Sequence, residues 1–178
     1  NFRKLKNFDC TFGDLNVVCL IGRGDSGKST VLDAISYVLS PSWTIPVTDY
    51  DFTDLKVEDP IRIGAVVVDF PDEFMRDDKY GMYLSGFDVT AQKVVDAMAE
   101  GARTALVIEL SVDASLEPKW EVVNYTSAKR VAIPARDRAK LNVCLISDYL
   151  NRHFAWANGS PLSALSKLDG DEIDSDVL

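Results

Sequence analysis

The stretch LIGRGDSGKST, Leu20 to Thr30, decides how the rest of the chain is read. It sets three glycines, a lysine and two adjacent hydroxyls directly after an apolar run. Gly22 through Ser29 fits GxxxxGK[ST], the pattern of a phosphate-binding loop. Glycines adopt backbone angles closed to other residues and let the main chain approach a polyphosphate. Successive N–H groups of Gly22, Arg23, Gly24, Asp25, Ser26 and Gly27 are then expected to converge on anionic oxygens. A helix starting near Lys28 adds its positive end at the same point. The Lys28 ammonium is expected at the β- and γ-phosphates, the Ser29 hydroxyl on Mg²⁺, and the Thr30 hydroxyl near the α-phosphate.

The flanks supply the context such a loop needs. LNVVCLI (15–21) is almost wholly apolar and predicts a strand buried on both faces. After the loop, Val31, Leu32, Ile35, Val38 and Leu39 fall on one helical face, and Pro41 ends the helix. Residues 2–12 read as an edge strand, with Gly13-Asp14 as a turn. Residues 40–60 hold three prolines and five carboxylates and read as a long loop. IRIGAVVVDF (61–70), between Pro60 and Pro71, predicts a strand. Residues 89–100 predict a helix capped by Asp88 or Thr90 and stopped at Gly101. ALVIELSVD (105–113) and KWEVVNY (119–125) predict a hairpin. Residues 138–156 predict a helix closed by Asn158-Gly159, with Ser160-Pro161 opening another.

Composition bounds the answer. The 178 residues suit one domain, and a hydrophobic content of 47% can build a core. No apolar run is long enough to cross a bilayer, and no secretion signal opens the chain. The expected location is cytoplasmic. Cys10, Cys19 and Cys144 are too far apart for a metal motif, and two lie in apolar segments, so buried free thiols are expected. The net charge is −9, which argues against a surface built wholly for nucleic acid. The first thirty residues nevertheless carry +2 and the remainder −11. A second basic cluster comprises Lys129, Arg130, Arg136, Arg138 and Lys140. It reads as a solvated face or a protein contact, with DNA phosphates as the other reading. Residues 166–178 form an acidic tail expected to fray. The opening strand pattern predicts a fragment of a longer protein.

Hydrolysis of a nucleotide needs more than the loop: a carboxylate on the metal side and a group that orients water. Asp69 ends an apolar strand, but Phe70 stands where a catalytic Glu is expected. Asp69 therefore reads first as a strand-end residue. YLSGFD (83–88) resembles the LSGGQ signature of ABC-type ATPases but lacks its second Gly and its Gln, so it reads as a turn. Gln92 sits in the expected 89–100 helix. Trp43, Trp120 and Trp156 read as packing residues, and His153 as a helix-end residue.

NFRKL, LNVVCLIGRGDSGKSTVLDAISYVLSP, VTDYDF, YLSGFD and RVAIPARDRAK together resemble the N-terminal ATPase region shared by SMC-like, RecF-like and OLD-family (overcoming lysogenization defect) proteins. The later pieces favour the OLD branch. The resemblance implies an α/β P-loop NTPase fold, an ABC/SMC/RecF-like head lobe with a mixed, largely antiparallel sheet. Residues 1–178 are then the N-terminal part of a split head that binds ATP and Mg²⁺. Hydrolysis would need later segments and a second head, as a homodimer or higher oligomer. A nuclease part would follow and DNA would be reached through the full-length protein, in phage defence or DNA repair. The resemblance also implies that Arg3 lies beside the nucleotide and that Asp51 approaches the magnesium or the γ-phosphate. An SMC- or RecF-like repair ATPase and a non-hydrolysing, nucleotide-controlled dimerisation module are the alternatives.

Overall fold

RTALVIELSV, residues 103–112, forms the centre of the sheet. A run buried on both faces needs partners on both edges for its backbone groups. The computed structural model describes residues 1–13 and 15–146. In sequence order its elements are α1 (Lys28–Val38), β1 (Ile61–Val67), β2 (Ser85–Asp88), β3 (Lys93–Val95), β4 (Arg103–Val112), β5 (Pro118–Asn124), β6 (Lys129–Ala132) and α2 (Ala135–Ala139). All ladders among the described residues are antiparallel, in the order β3-β2-β4-β5-β6, with β1 also paired to β4. Ala105 through Leu110 are all buried. Rows of partners such as Ala65–Ile108–Val122 and Ile63–Leu110–Trp120 run across β1, β4 and β5.

The helix after the loop packs against β1 and β4 and buries Val31 and Val38, whereas Leu32 is exposed. Its far end is fastened to the sheet. The Trp120 indole N–H of β5 donates to the Tyr37 carbonyl at 3.1 Å. Arg138 of α2 donates to the Ser40 and Ser42 carbonyls just beyond the helix. Residues 40–60 contain two short 3₁₀ turns, Asp49–Asp51 and Thr53–Leu55, and Phe52 between them is almost fully buried. The chain divides into two units, Asn1–Leu141 and Asn142–Leu178; the described part of the second, residues 142–146, holds neither helix nor strand.

Several sequence expectations are corrected. LNVVCLI (15–21) forms no strand, and Leu15, Val17 and Ile21 are 70%, 83% and 90% exposed. An apolar run becomes a strand only when another strand satisfies its N–H and C=O groups, and none of the described strands pairs with it. Cys19 lies in this uncovered run and is exposed rather than buried; Cys10 and Cys144 are exposed too. Residues 2–12 form only isolated bridges, Phe2 with Leu5 and Phe2 with Phe52. The expected 89–100 helix is instead the β2–β3 hairpin. The Asp88 carboxylate accepts from the N–H groups of Thr90 and Ala91 at 2.8 and 2.9 Å, and Gln92 takes a left-handed φ of 52. That side-chain turn competes with helix initiation and wins. Ser85–Asp88 of YLSGFD is strand β2 rather than a turn. Of the expected 138–156 helix, residues 142–146 are not helical, and 147–156, with His153 and Trp156, lie outside the described residues.

Candidate phosphate-binding site

Gly27 shows why this loop needs glycine. It precedes α1 with φ 88 and ψ 6, a left-handed conformation that costs other residues energy. A Cβ there would also lie 3.2 Å from Leu5 Cδ2. Asp25 is left-handed as well, at φ 65, which Asp tolerates better than most residues. At Gly22 a Cβ would stand 2.8 Å from the Ser26 hydroxyl, so the two limbs of the loop approach closely. A Cβ at Gly24 would meet nothing within 4 Å.

The loop delivers the chain into α1 with no side-chain hydrogen bond at the N-cap and no acidic residue in the first turn. The start of the helix therefore keeps its positive end. The Lys28 ammonium folds over the loop, donating to the carbonyls of Gly22 and Arg23 at 3.0 and 2.7 Å and to Ser26 Oγ at 3.2 Å. A cleft of about 250 Å³ opens here, lined by Asp25, Ser26, Gly27, Lys28, Ser29 and Thr30 together with Arg3 and Lys4. Arg3, Lys4 and Lys28 surround it with positive charge, and Asp25 supplies the one carboxylate among its lining residues.

Arg3 and Lys4 arrive through a tight turn in which Phe2 and Leu5 each donate a 2.9 Å backbone hydrogen bond to the other. The Arg3 Nε donates to Asp51 Oδ1 at 2.8 Å, and its Nη1 contacts Asp33 of α1. Burial works against the Arg3 charge, but the hydrogen bonds it donates to Asp51 and Asp33 outweigh that and hold the guanidinium above its usual pKa. The other oxygen of Asp51 accepts from Thr48 N–H and Oγ1 at 2.9 and 3.2 Å. The structure thus brings Arg3 to the cleft. It holds Asp51 behind Arg3 with both carboxylate oxygens engaged, outside the lining of the cleft.

Other candidates fall elsewhere. Asp69 pairs with Arg103, and neither residue lines the phosphate cleft. Gln92 lies on the β2–β3 turn and lines a larger groove, about 490 Å³, bordered by residues 5–13, α1 and β1. The residues lining that groove include Phe2, Leu5, Val31, Ile35 and Val38 and none of residues 22–30. The basic cluster at 129–140 is not one continuous face. Arg138 is buried, Arg130 bridges Glu109 and Glu121, and Lys140 pairs with Glu73. Trp120 is buried beneath Arg138, whereas Trp43 is 80% exposed. Sequence reasoning missed Asp33 and Lys4. The available signal was the excess of cations in the first thirty residues, which the NFRK turn carries to the loop.

Among the described residues no cluster of His, Cys, Asp or Glu is arranged to hold a metal, and no helix is long and apolar enough to cross a membrane. Residues 1–47 match the family model described as the P-loop containing region of AAA domain. No curated protein and no solved structure gives a match.

Proposed function

We propose that this chain is the nucleotide-binding lobe of a P-loop ATPase, with the triphosphate of ATP held by residues 22–30. The observation that carries this is the convergence of Arg3, Lys4 and Lys28 on one cleft at the uncapped start of α1. Lys28 gives up its contacts with the Gly22 and Arg23 carbonyls for phosphate oxygens. Ser29 and Thr30 line the same cleft. Ser29 is the side chain that fits Mg²⁺, which keeps much of its water and takes few protein ligands. The ion, when bound, neutralises charge on the phosphates. Asp51 enters as the anchor of Arg3, which forms one wall of the site.

Turnover is expected to need residues from outside this lobe. Asp25 is the one carboxylate in the cleft lining, and it is paired with Lys4. This supports a split head completed by later segments and a second head. The sequence resemblance favours an OLD-family ATPase acting in the cytoplasm on DNA through a nuclease part, in phage defence or repair, over an SMC- or RecF-like repair ATPase. A nucleotide-controlled dimerisation module is the second reading, favoured by the position of Asp69 outside the cleft.

Calorimetric titration with MgATP tests the assignment. The wild-type chain is expected to bind, and Lys28→Ala to lose binding while keeping its far-UV circular dichroism. Equal affinity in the two proteins overturns the phosphate-loop reading.

A further inference from the structure

Lys28 is not the only cation within reach of the phosphates. Arg3 and Lys4 are the inner residues of the turn closed between Phe2 and Leu5, and the two differ in how they are held. Arg3 has a left-handed φ of 51 and is committed to Asp33 and Asp51. It fixes the turn against α1. Lys4 reaches instead to the phosphate loop, where its ammonium donates to Asp25 Oδ2 at 2.5 Å. Both side chains are largely exposed, 63% for Lys4 and 86% for Asp25. Both line the cleft that holds Lys28, Ser29 and Thr30.

We propose that Lys4 is a second phosphate-binding cation of this site, and that Asp25 is an internal carboxylate competing with the nucleotide for it. The proposal rests on the assignment of residues 22–30 to a nucleoside triphosphate. A carboxylate on a loop that receives an anion is electrostatically opposed to its ligand. Pairing with Lys4 offsets that opposition. A triphosphate presents more negative charge to the ammonium than one carboxylate does, at closer range to Lys28 and the helix start. On binding, the Lys4 ammonium passes from Asp25 to a non-bridging phosphate oxygen, and Asp25 turns to water. No covalent bond changes. The exposed pair contributes little to folding. Substitutions at either position therefore leave the fold in place, and Asn retains the left-handed backbone that Asp25 adopts.

The test is calorimetric titration of the chain with MgATP and, separately, with inorganic tripolyphosphate. The proteins are wild type, Lys4→Met, Asp25→Asn, the double variant and Lys28→Ala. Loss of a charge-assisted hydrogen bond predicts about tenfold weaker binding of both ligands by Lys4→Met. Asp25→Asn is expected to bind both more tightly, by about threefold, as expected when a competing charge is removed. That gain shrinks in the Lys4→Met background. Unchanged affinity in Lys4→Met, with binding lost in Lys28→Ala, overturns this inference and leaves the phosphate-loop assignment standing. Weaker binding by Asp25→Asn, or an equal gain in both backgrounds, overturns the competition. Failure of the wild-type chain to bind either ligand overturns the assignment and this inference with it.

Discussion

Arg3 and Asp51 are joined twice: the guanidinium Nε donates to Asp51 Oδ1 at 2.8 Å, and the Arg3 backbone N–H donates to the Asp51 carbonyl at 2.7 Å. With Asp33 on the same guanidinium, this fastens the first turn of the chain to α1 and to residues 48–52. The walls of the cleft beside the glycine loop are therefore set by residues far apart in sequence. Asp51→Ala removes one side of a partly buried pair and the cap on Thr48. It is expected to destabilise unit 1 by about 2 kcal/mol, less than a fully buried pair because Asp33 remains. Urea denaturation checks this, and a midpoint equal to wild type would show the pair to be dispensable.

The phosphate loop offers a comparison between two of its glycines. Gly27 combines φ 88 with the close approach of Leu5, whereas a Cβ on Gly24 meets nothing. Gly27→Ala is expected to cost about 1–3 kcal/mol from backbone strain, and to weaken ATP binding by displacing the start of α1. Gly24→Ala is expected to stay within about 0.5 kcal/mol of wild type. Thermal melts of the two variants side by side decide this, since equal effects would remove the special role of Gly27.

What was legible in the sequence was local. The glycine pattern and the 3.6-residue spacing from Val31 to Leu39 placed α1, because a phosphate loop and an amphipathic helix are written within some twenty residues. β4 and β5 were legible for the same reason, as neighbours joined by a short turn. The segment 15–21 was misread because its strand character depends on a partner that its own residues do not specify. The 89–100 segment was misread because a single Asp88 side chain redirects the backbone, and periodicity does not register that. The motif grouped Lys28, Ser29 and Thr30, and the three line one cleft. The placement of Lys4 and Asp33 beside it was not legible, because it comes from the contact of residues 2–5 with a loop and helix more than twenty positions away.

Glu109 gives the sheet an acid-sensitive contact. It lies directly across the ladder from Glu121, and Arg130 Nη1 bridges the two carboxylates at 2.7 and 3.1 Å. Tyr125 adds a 2.7 Å hydrogen bond to Glu109. Burial alone would raise the Glu109 pKa, but the hydrogen bonds from Arg130 and Tyr125 outweigh it and hold the carboxyl below its ordinary 4.5. A folded-state pKa below the unfolded value gives stability that is complete above the unfolded pKa. That stability is lost as pH falls through the folded one. Wild type is therefore expected to lose stability as pH drops below about 4.5, and Glu109→Gln to show a flatter acid limb. Urea midpoints measured across that range test the sign; identical limbs would assign the acid loss to other carboxylates.

Arg138 binds the end of the phosphate-loop helix to the sheet, and its removal should be the most damaging of these changes. The residue is 3% exposed, and its guanidinium donates to the carbonyls of Ser40, Ile133 and Ser42 at 2.7, 2.6 and 2.6 Å. It also stacks 3.9 Å above the ring of Trp120, whose indole N–H holds the Tyr37 carbonyl. Ser40 and Ser42 lie just beyond the C-cap of α1, so these contacts fasten that end of the helix. Arg138→Met retains much of the packing volume but leaves three carbonyls short of a donor, two of them beyond the helix. The expected cost is about 3 kcal/mol, with a shift in Trp120 emission as its cation partner leaves. Arg138→Lys keeps the charge but not the planar fork, and is expected to recover only part of the stability. Full recovery by Lys would show that charge, rather than the three-carbonyl geometry, secures this end of the helix.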